Sequence, residues 1–231
     1  MSEEQPRLFD YSAHGEAAGE FIVSDSNTRA VDLVRRWRDW TGGAVALFGP
    51  PGSGKSHLLR SWAEEAGAGQ LNPNAAAAEV RAAFAAHNGR LAVDGLDGPH
   101  DDAAIMLLLD LARSEGGAIL AAGQTPPAEW PAGLPDLRSR FSSLVAIGLE
   151  DPDQELLQAV IRRLCRRRFI ELRENVAKYI AEHSERSFTA AQELVDELDR
   201  MMISGRRPVA YDLASEALKR VARRHGVDDP A

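Results

Sequence analysis

Residues Gly49-Pro50-Pro51-Gly52-Ser53-Gly54-Lys55-Ser56 have the types and spacing to hold a polyphosphate. Glycines at 49, 52 and 54 let the backbone curl so that successive N–H groups point inward at phosphate oxygens. A helix starting at Lys55 adds its positive N-terminal end. In such a loop Lys55 reaches the outer phosphates and the Ser56 hydroxyl ligates Mg²⁺. Pro50, Pro51, Gly52, Ser53, Gly54 and the following His57 complete the lining expected around the nucleotide. The second half of such a site is an acid ending a neighbouring apolar strand. Leu91-Ala92-Val93-Asp94 supplies one, and Asp94 is the expected holder of Mg²⁺. Gly95 stands where a second acid would orient an attacking water, with Asp97 and Asp101 further along the loop. The motif therefore predicts binding of ATP or ADP with weak or absent hydrolysis of its own, which makes ADP the expected resting ligand.

These residues need elements to position them. Ala44 to Phe48 is a short apolar run suited to a buried parallel strand, and it leads straight into the loop. Strand-like runs follow at Arg90 to Val93, Ala118 to Ala122 and Leu144 to Ile147, with Gly69 to Leu71 as a fifth. Helical stretches are expected after Asn27, where Ala30, Val31, Val34 and Trp37 recur, and at Lys55 to Ala66, Ala75 to Ala86 and Ala103 to Arg113. This alternation predicts an α/β P-loop domain, a five-stranded parallel sheet flanked by helices. After Glu150 the pattern becomes helical throughout, at Pro152 to Arg168, Glu174 to His183, Phe188 to Ile203 and Tyr211 to Arg224. Asp151 is read as the cap of the first of these, with Pro152 at its first helical position. The expected organisation is a flexible tail over 1–20, an α/β nucleotide-binding domain over 21–150 and a small all-α lid domain over 151–231.

With 35 acidic against 27 basic residues, the formal charge of −8 argues against broad binding along a nucleic-acid backbone. Cys165 is the lone cysteine, which excludes an intrachain disulfide and favours a reduced, cytoplasmic setting. No apolar run approaches a membrane span, and the N-terminus lacks the plan of a signal peptide. His57, His87, His100 and His183 show no metal-ligand spacing.

The chain resembles the AAA+ ATPases, in the branch of the bacterial replication initiator DnaA and its shorter homologue Hda. Phe21-Ile22-Val23 followed by Ser26-Asn27 looks like the segment that lines the family's adenine pocket, which implies nucleotide contacts for Phe21, Val23 and Asn27. Gly123-Gln124-Thr125-Pro126-Pro127 looks like the first sensor loop, with Gln124 at its polar tip. Leu137-Arg138-Ser139-Arg140-Phe141 looks like the segment ending in an arginine finger; Arg140 matches the finger and Arg138 is the alternative. A guanidinium projected from a neighbouring molecule can stabilise the charge that develops during phosphoryl transfer. The helical end looks like the AAA+ lid, with one departure. The second-sensor arginine is replaced by Thr189, and the nearest arginine, Arg186, comes three residues early, so either Arg186 substitutes or the contact is missing.

Gln5-Pro6-Arg7-Leu8-Phe9 looks like the peptide by which bacterial replication proteins dock on the β subunit of the polymerase sliding clamp. Leu8 and Phe9 suit an apolar pocket and Gln5 its rim, although the two side chains could also fold back on the core. Arg162, Arg163, Arg166, Arg167 and Arg168 crowd one helix, with Val160, Ile161, Leu164 and Phe169 placed on its inner face. A solvated face is the first reading of these arginines, a partner-docking face the second, and a nucleic-acid patch the third. The resemblance implies a nucleotide-bound regulator of replication initiation with DnaA and the clamp as partners, a homodimer as a further option, and little or no direct DNA binding. The competing expectation is an initiator-like or helicase-loading ATPase that acts on DNA.

Overall fold

The computed structural model describes residues 22–202 and 208–224. Phe21 and the pentapeptide residues Gln5, Leu8 and Phe9 lie outside the described residues. Helix α1 (Thr28–Arg35) buries Ala30, Val31 and Val34 on one face; Trp37 then falls in a single 3₁₀ turn, Trp37–Asp39. The remaining elements of the first part are β1 (Ala44–Phe48), α2 (Lys55–Ala66), β2 (Gly69–Leu71), α3 (Ala77–Ala86), β3 (Arg90–Asp94), α4 (Asp102–Glu115), β4 (Ala118–Gly123), a second 3₁₀ turn (Pro127–Glu129), α5 (Pro135–Ser143) and β5 (Val145–Gly148). Four helices follow: α6 (Gln154–Arg167), α7 (Glu174–His183), α8 (Phe188–Met201) and α9 (Tyr211–Arg224).

The sheet has five parallel strands in the order β2-β3-β4-β1-β5. Its period-two alternation sorts side chains cleanly. Ala44 and Ala46 of β1 join a core with α3, α4 and α5, whereas Val45 and Leu47 join a second core with α1 and α2. A separate apolar cluster, drawn from Leu157 to Val221, holds the last four helices together. Because β4 lies between β1 and β3, the loops that leave these three strands stand side by side at one edge of the sheet.

Two local expectations are corrected. Asp153, not Asp151, caps α6: one carboxylate oxygen accepts from Leu156 N–H at 2.8 Å. Its other oxygen accepts from Ser26 N–H at 3.2 Å, a tie to the first part that favours this cap over its neighbour. Pro152 therefore precedes the helix. Phe169 does not share the inner face of α6; the helix ends at Arg167 and Phe169 is 83% exposed.

Candidate functional site

The glycine loop between β1 and α2 has the backbone that the motif requires. Gly52 and Gly54 take φ of +77° and +95°, a region that side chains rarely adopt. Space is equally short: a Cβ on Gly54 would lie 2.7 Å from the Phe188 ring, and one on Gly52 would lie 2.9 Å from Ser187 Cβ. The first turn of α8, capped by the Ser187 hydroxyl accepting from Ala190 N–H, therefore rests on the loop. Phe188 N–H donates to Gly52 C=O at 2.9 Å.

Lys55 is buried and its ammonium donates to Gly49 C=O and Pro50 C=O, each at 2.7 Å, and to the Ser53 hydroxyl at 3.3 Å. These bonds hold the loop as a hoop with a cation at its mouth. Burial pushes the ammonium below the ordinary lysine range, and the charges of Asp94 and Asp97 oppose that shift. Asp94 stands at the end of β3 within electrostatic reach of Lys55. Asp97 joins it because Gly95 turns the chain: Gly98 N–H donates to Gly95 C=O at 3.0 Å, while Gly95 and Leu96 N–H both donate to Ala122 C=O. Gln124 belongs to the same edge, and its carbonyl accepts from Gly49 N–H at 3.1 Å.

A cleft of about 680 Å³ opens beside the loop. Gly52, Gly54, Lys55, Ser56 and His57 form its loop wall, and Ile22, Leu156 and Val160 give it an apolar end. Its size and mixed lining suit a nucleotide. The glycine cradle, the anchored Lys55 and the helix N-terminus fit a polyphosphate, and Ser56 with Asp94 would hold a Mg²⁺ ion whose other ligands are phosphate and water. Among the described residues there is no group of three or more His, Cys, Asp or Glu side chains that would bind a metal unaided.

The cations that face this cleft besides Lys55 are Arg60, Arg163 and Arg167. Partial burial lowers the His57 pKa, and Arg163 and Arg60 lower it further. Arg186 is exposed and is not among the lining residues, whereas Thr189 is. Arg163 was readable in principle, since Leu156, Val160, Arg163 and Arg167 recur at intervals of four, three and four along α6 and so share a face. Val23 packs on the α1–α2 core instead of lining the cleft. Asn27 is buried with its side chain taken up by the Ser24 N–H and the Ile22 carbonyl, so it shapes the segment that carries Ile22.

Arg140 lies elsewhere. It projects from α5, and its Nη2 sits 2.5 Å from Asp110 Oδ1 of α4, with both side chains partly exposed. Arg138 instead donates to the Ala132 carbonyl at 2.8 Å.

A parallel sheet in this order, a phosphate loop after β1, an acid at the end of β3 and a helical C-terminal part make up an AAA+-type fold. The chain is similar to domain III of the replication initiation protein DnaA from Thermotoga maritima, at a TM-score of 0.69 and 17% identity, over 87% of this chain and 94% of that one. It is also similar to RuvB of the same organism, a Holliday junction branch migration motor, at a TM-score of 0.65 and 19% identity over 85% and 69% of the two chains. A DNA replication initiation factor aligns at a TM-score of 0.56 and 18% identity, over 88% and 79%. No family model matches the chain. No helix among the described residues is long and apolar enough to cross a membrane.

Proposed function

We propose that this chain is a nucleotide-bound negative regulator of chromosomal replication initiation, similar to Hda. It docks on the sliding clamp through Gln5, Leu8 and Phe9 and promotes ATP hydrolysis by the initiator DnaA. Arg140 is the finger presented in trans. The observation that carries this reading is the division of labour between its two sites. The cleft has a complete phosphate loop but Gly95 in place of a water-orienting acid, while Arg140 stands outside that cleft, partly exposed and paired with the half-exposed carboxylate of Asp110. Such a chain senses nucleotide with one face and acts with the other. ADP is its resting ligand, Mg²⁺ is held by Ser56 and Asp94 when the phosphates require it, and the protein works in the cytoplasm.

The test measures ATP hydrolysis by purified initiator in the presence of this protein and DNA-loaded clamp. Arginine fingers are worth about 10³-fold or more in rate, so Arg140→Ala should abolish the stimulation while ADP affinity is retained. Replacing Gln5, Leu8 and Phe9 together by Ala should remove binding to the clamp, expected at about micromolar Kd. Stimulation that survives Arg140→Ala would sink the finger.

The second reading is an initiator-like or helicase-loading ATPase acting on DNA. Asp97 favours it, because its charge reaches Lys55 and it could replace the acid absent at Gly95. Turnover without partners, lost in Asp97→Asn, would select this reading.

A further inference from the structure

Helix α5 is rigidly rooted, and Arg140 is not. The inner face of α5 is locked by Leu137 and Phe141, both buried in the core that it shares with α4. Its entry is pinned as well. Gly133 N–H and Leu134 N–H donate to one carboxylate oxygen of Asp102, in the first turn of α4, at 2.6 and 2.9 Å. The other oxygen of Asp102 lies 3.4 Å from Nε2 of His100, whose Nδ1 faces the Gly98 carbonyl at 3.0 Å. The His100 ring in turn meets Phe141 edge-on at 5.7 Å. A root packed and bonded this way moves only with α4.

Arg140 is held by a single exposed partner. Four residues back on its own helix stands Asp136, at the spacing that suits an intrahelical pair. The guanidinium reaches across to α4 instead, where Nη2 meets Asp110 Oδ1 at 2.5 Å. The Asp110 side chain is 50% exposed and that of Arg140 is 29% exposed. An ion pair in such contact with water is worth no more than about fivefold in an equilibrium constant. A phosphate group is the stronger partner, with three acceptor oxygens and more charge than one carboxylate.

We propose, on the reading of Arg140 as the finger, that Asp110 is its latch. The carboxylate positions the guanidinium on α4 and yields it to the terminal phosphate of a nucleotide held by a neighbouring molecule. Because Asp102 pins the root of α5, release needs only the rotation of one side chain. Loss of the latch raises the fraction of chains whose finger is free, and the apparent affinity rises by the same factor. The engaged finger is unaltered, so the maximal rate stays the same.

The test titrates this protein into purified initiator with ATP and DNA-loaded clamp, at roughly 50 mM salt. Asp110→Asn should lower the concentration that gives half-maximal stimulation about three- to fivefold, with the maximal rate unchanged. Its Tm should stay within about 2 °C of wild type, as for other surface substitutions. Asp110→Glu keeps the carboxylate and should titrate within about twofold of wild type. At a few hundred millimolar salt the gain from Asp110→Asn should shrink, because screening already loosens the pair in wild type. Added to Arg140→Ala, Asp110→Asn should change nothing. The latch is overturned by an Asp110→Asn protein that titrates as wild type does or needs a higher concentration. A gain that Asp110→Glu shares in full overturns it too. Arg140→Ala tells the two readings apart. Where it abolishes stimulation and Asp110→Asn has no effect, the finger stands and the latch falls; stimulation that survives Arg140→Ala overturns both.

Discussion

The two walls of the cleft are made of different materials. On the α/β side, backbone does the work: glycines in left-handed conformations, the helix end at Lys55, and an ammonium tied to two carbonyls of its own loop. On the helical side, long side chains supply the positive charge, Arg163 and Arg167 from α6, while α8 offers the cleft Phe188, Thr189, Gln192 and Glu193 and no cation. A wall of backbone fixes where phosphate can sit and tolerates almost no change. A wall of long side chains can gain or lose a contact by one substitution, which is how a lid keeps its shape while its contact with the nucleotide changes.

The sharpest way to break this contrast is Gly54→Ala. The substitution strains φ +95° and drives a methyl toward the Phe188 ring, so ADP affinity should fall about 100-fold, or ~2.7 kcal/mol, by calorimetry. Thr189→Ala on the facing wall should change it less than about threefold. Equal losses would mean that the lid holds phosphate as firmly as the loop does.

Much of the backbone wall was legible beforehand because its rules are local. The glycine spacing, the apolar run before it and Asp94 after Leu91-Ala92-Val93 each follow from a few neighbouring residues. The helical wall was less legible because it depends on partners distant in sequence. Asp151 reads as the cap of α6, but the cap is Asp153, favoured by a bond to Ser26 that local rules cannot see. Phe169 continues the spacing of Ile161 and Cys165, so periodicity places it inside, but the helix has already ended. Arg186 stands near Thr189 in sequence, while the cleft takes its arginines from α2 and α6.

The next effect concerns how the helical part is held. Glu197 is buried and accepts from Arg200 at 2.5 Å, from Arg220 at 3.4 Å, and from Arg224. Glu197→Gln should cost about 1–2 kcal/mol, discounted because the arginines are half exposed. The bond from Arg224, with the other arginines, holds the carboxyl below the usual glutamate range despite its burial. A depressed folded value means that the contribution is full above ~4.3, the unfolded pKa, and is lost as pH falls through the folded value. The gap in Tm between wild type and variant should therefore close in acid.

A smaller effect joins the two parts. Burial raises the Asp153 pKa, but bonds from Ser24, Leu156 and Ser26 outweigh it and leave the pKa low. Asp153→Ala should lower stability by about 1 kcal/mol, the usual value of a cap, measured by urea unfolding, with the loss again fading at acid pH. The smallest expected effect is an absence of reaction. Burial pushes the Cys165 thiol up to about 12 inside the helical core, so at pH 8 it should resist thiol reagents until the chain unfolds. Rapid labelling of the native protein would mean that the helical part opens far more readily than the sheet.

Trp62 gives the backbone wall a voice of its own. It lies on α2, the helix that begins at Lys55, and it is buried against Trp37 edge-on at 6.4 Å and Trp40 stacked at 5.6 Å. Indole rings this close couple their electronic transitions. A small tilt of α2 as phosphate meets its N-terminus would change that coupling, so near-ultraviolet circular dichroism and tryptophan emission can follow ligand arrival in real time without any label.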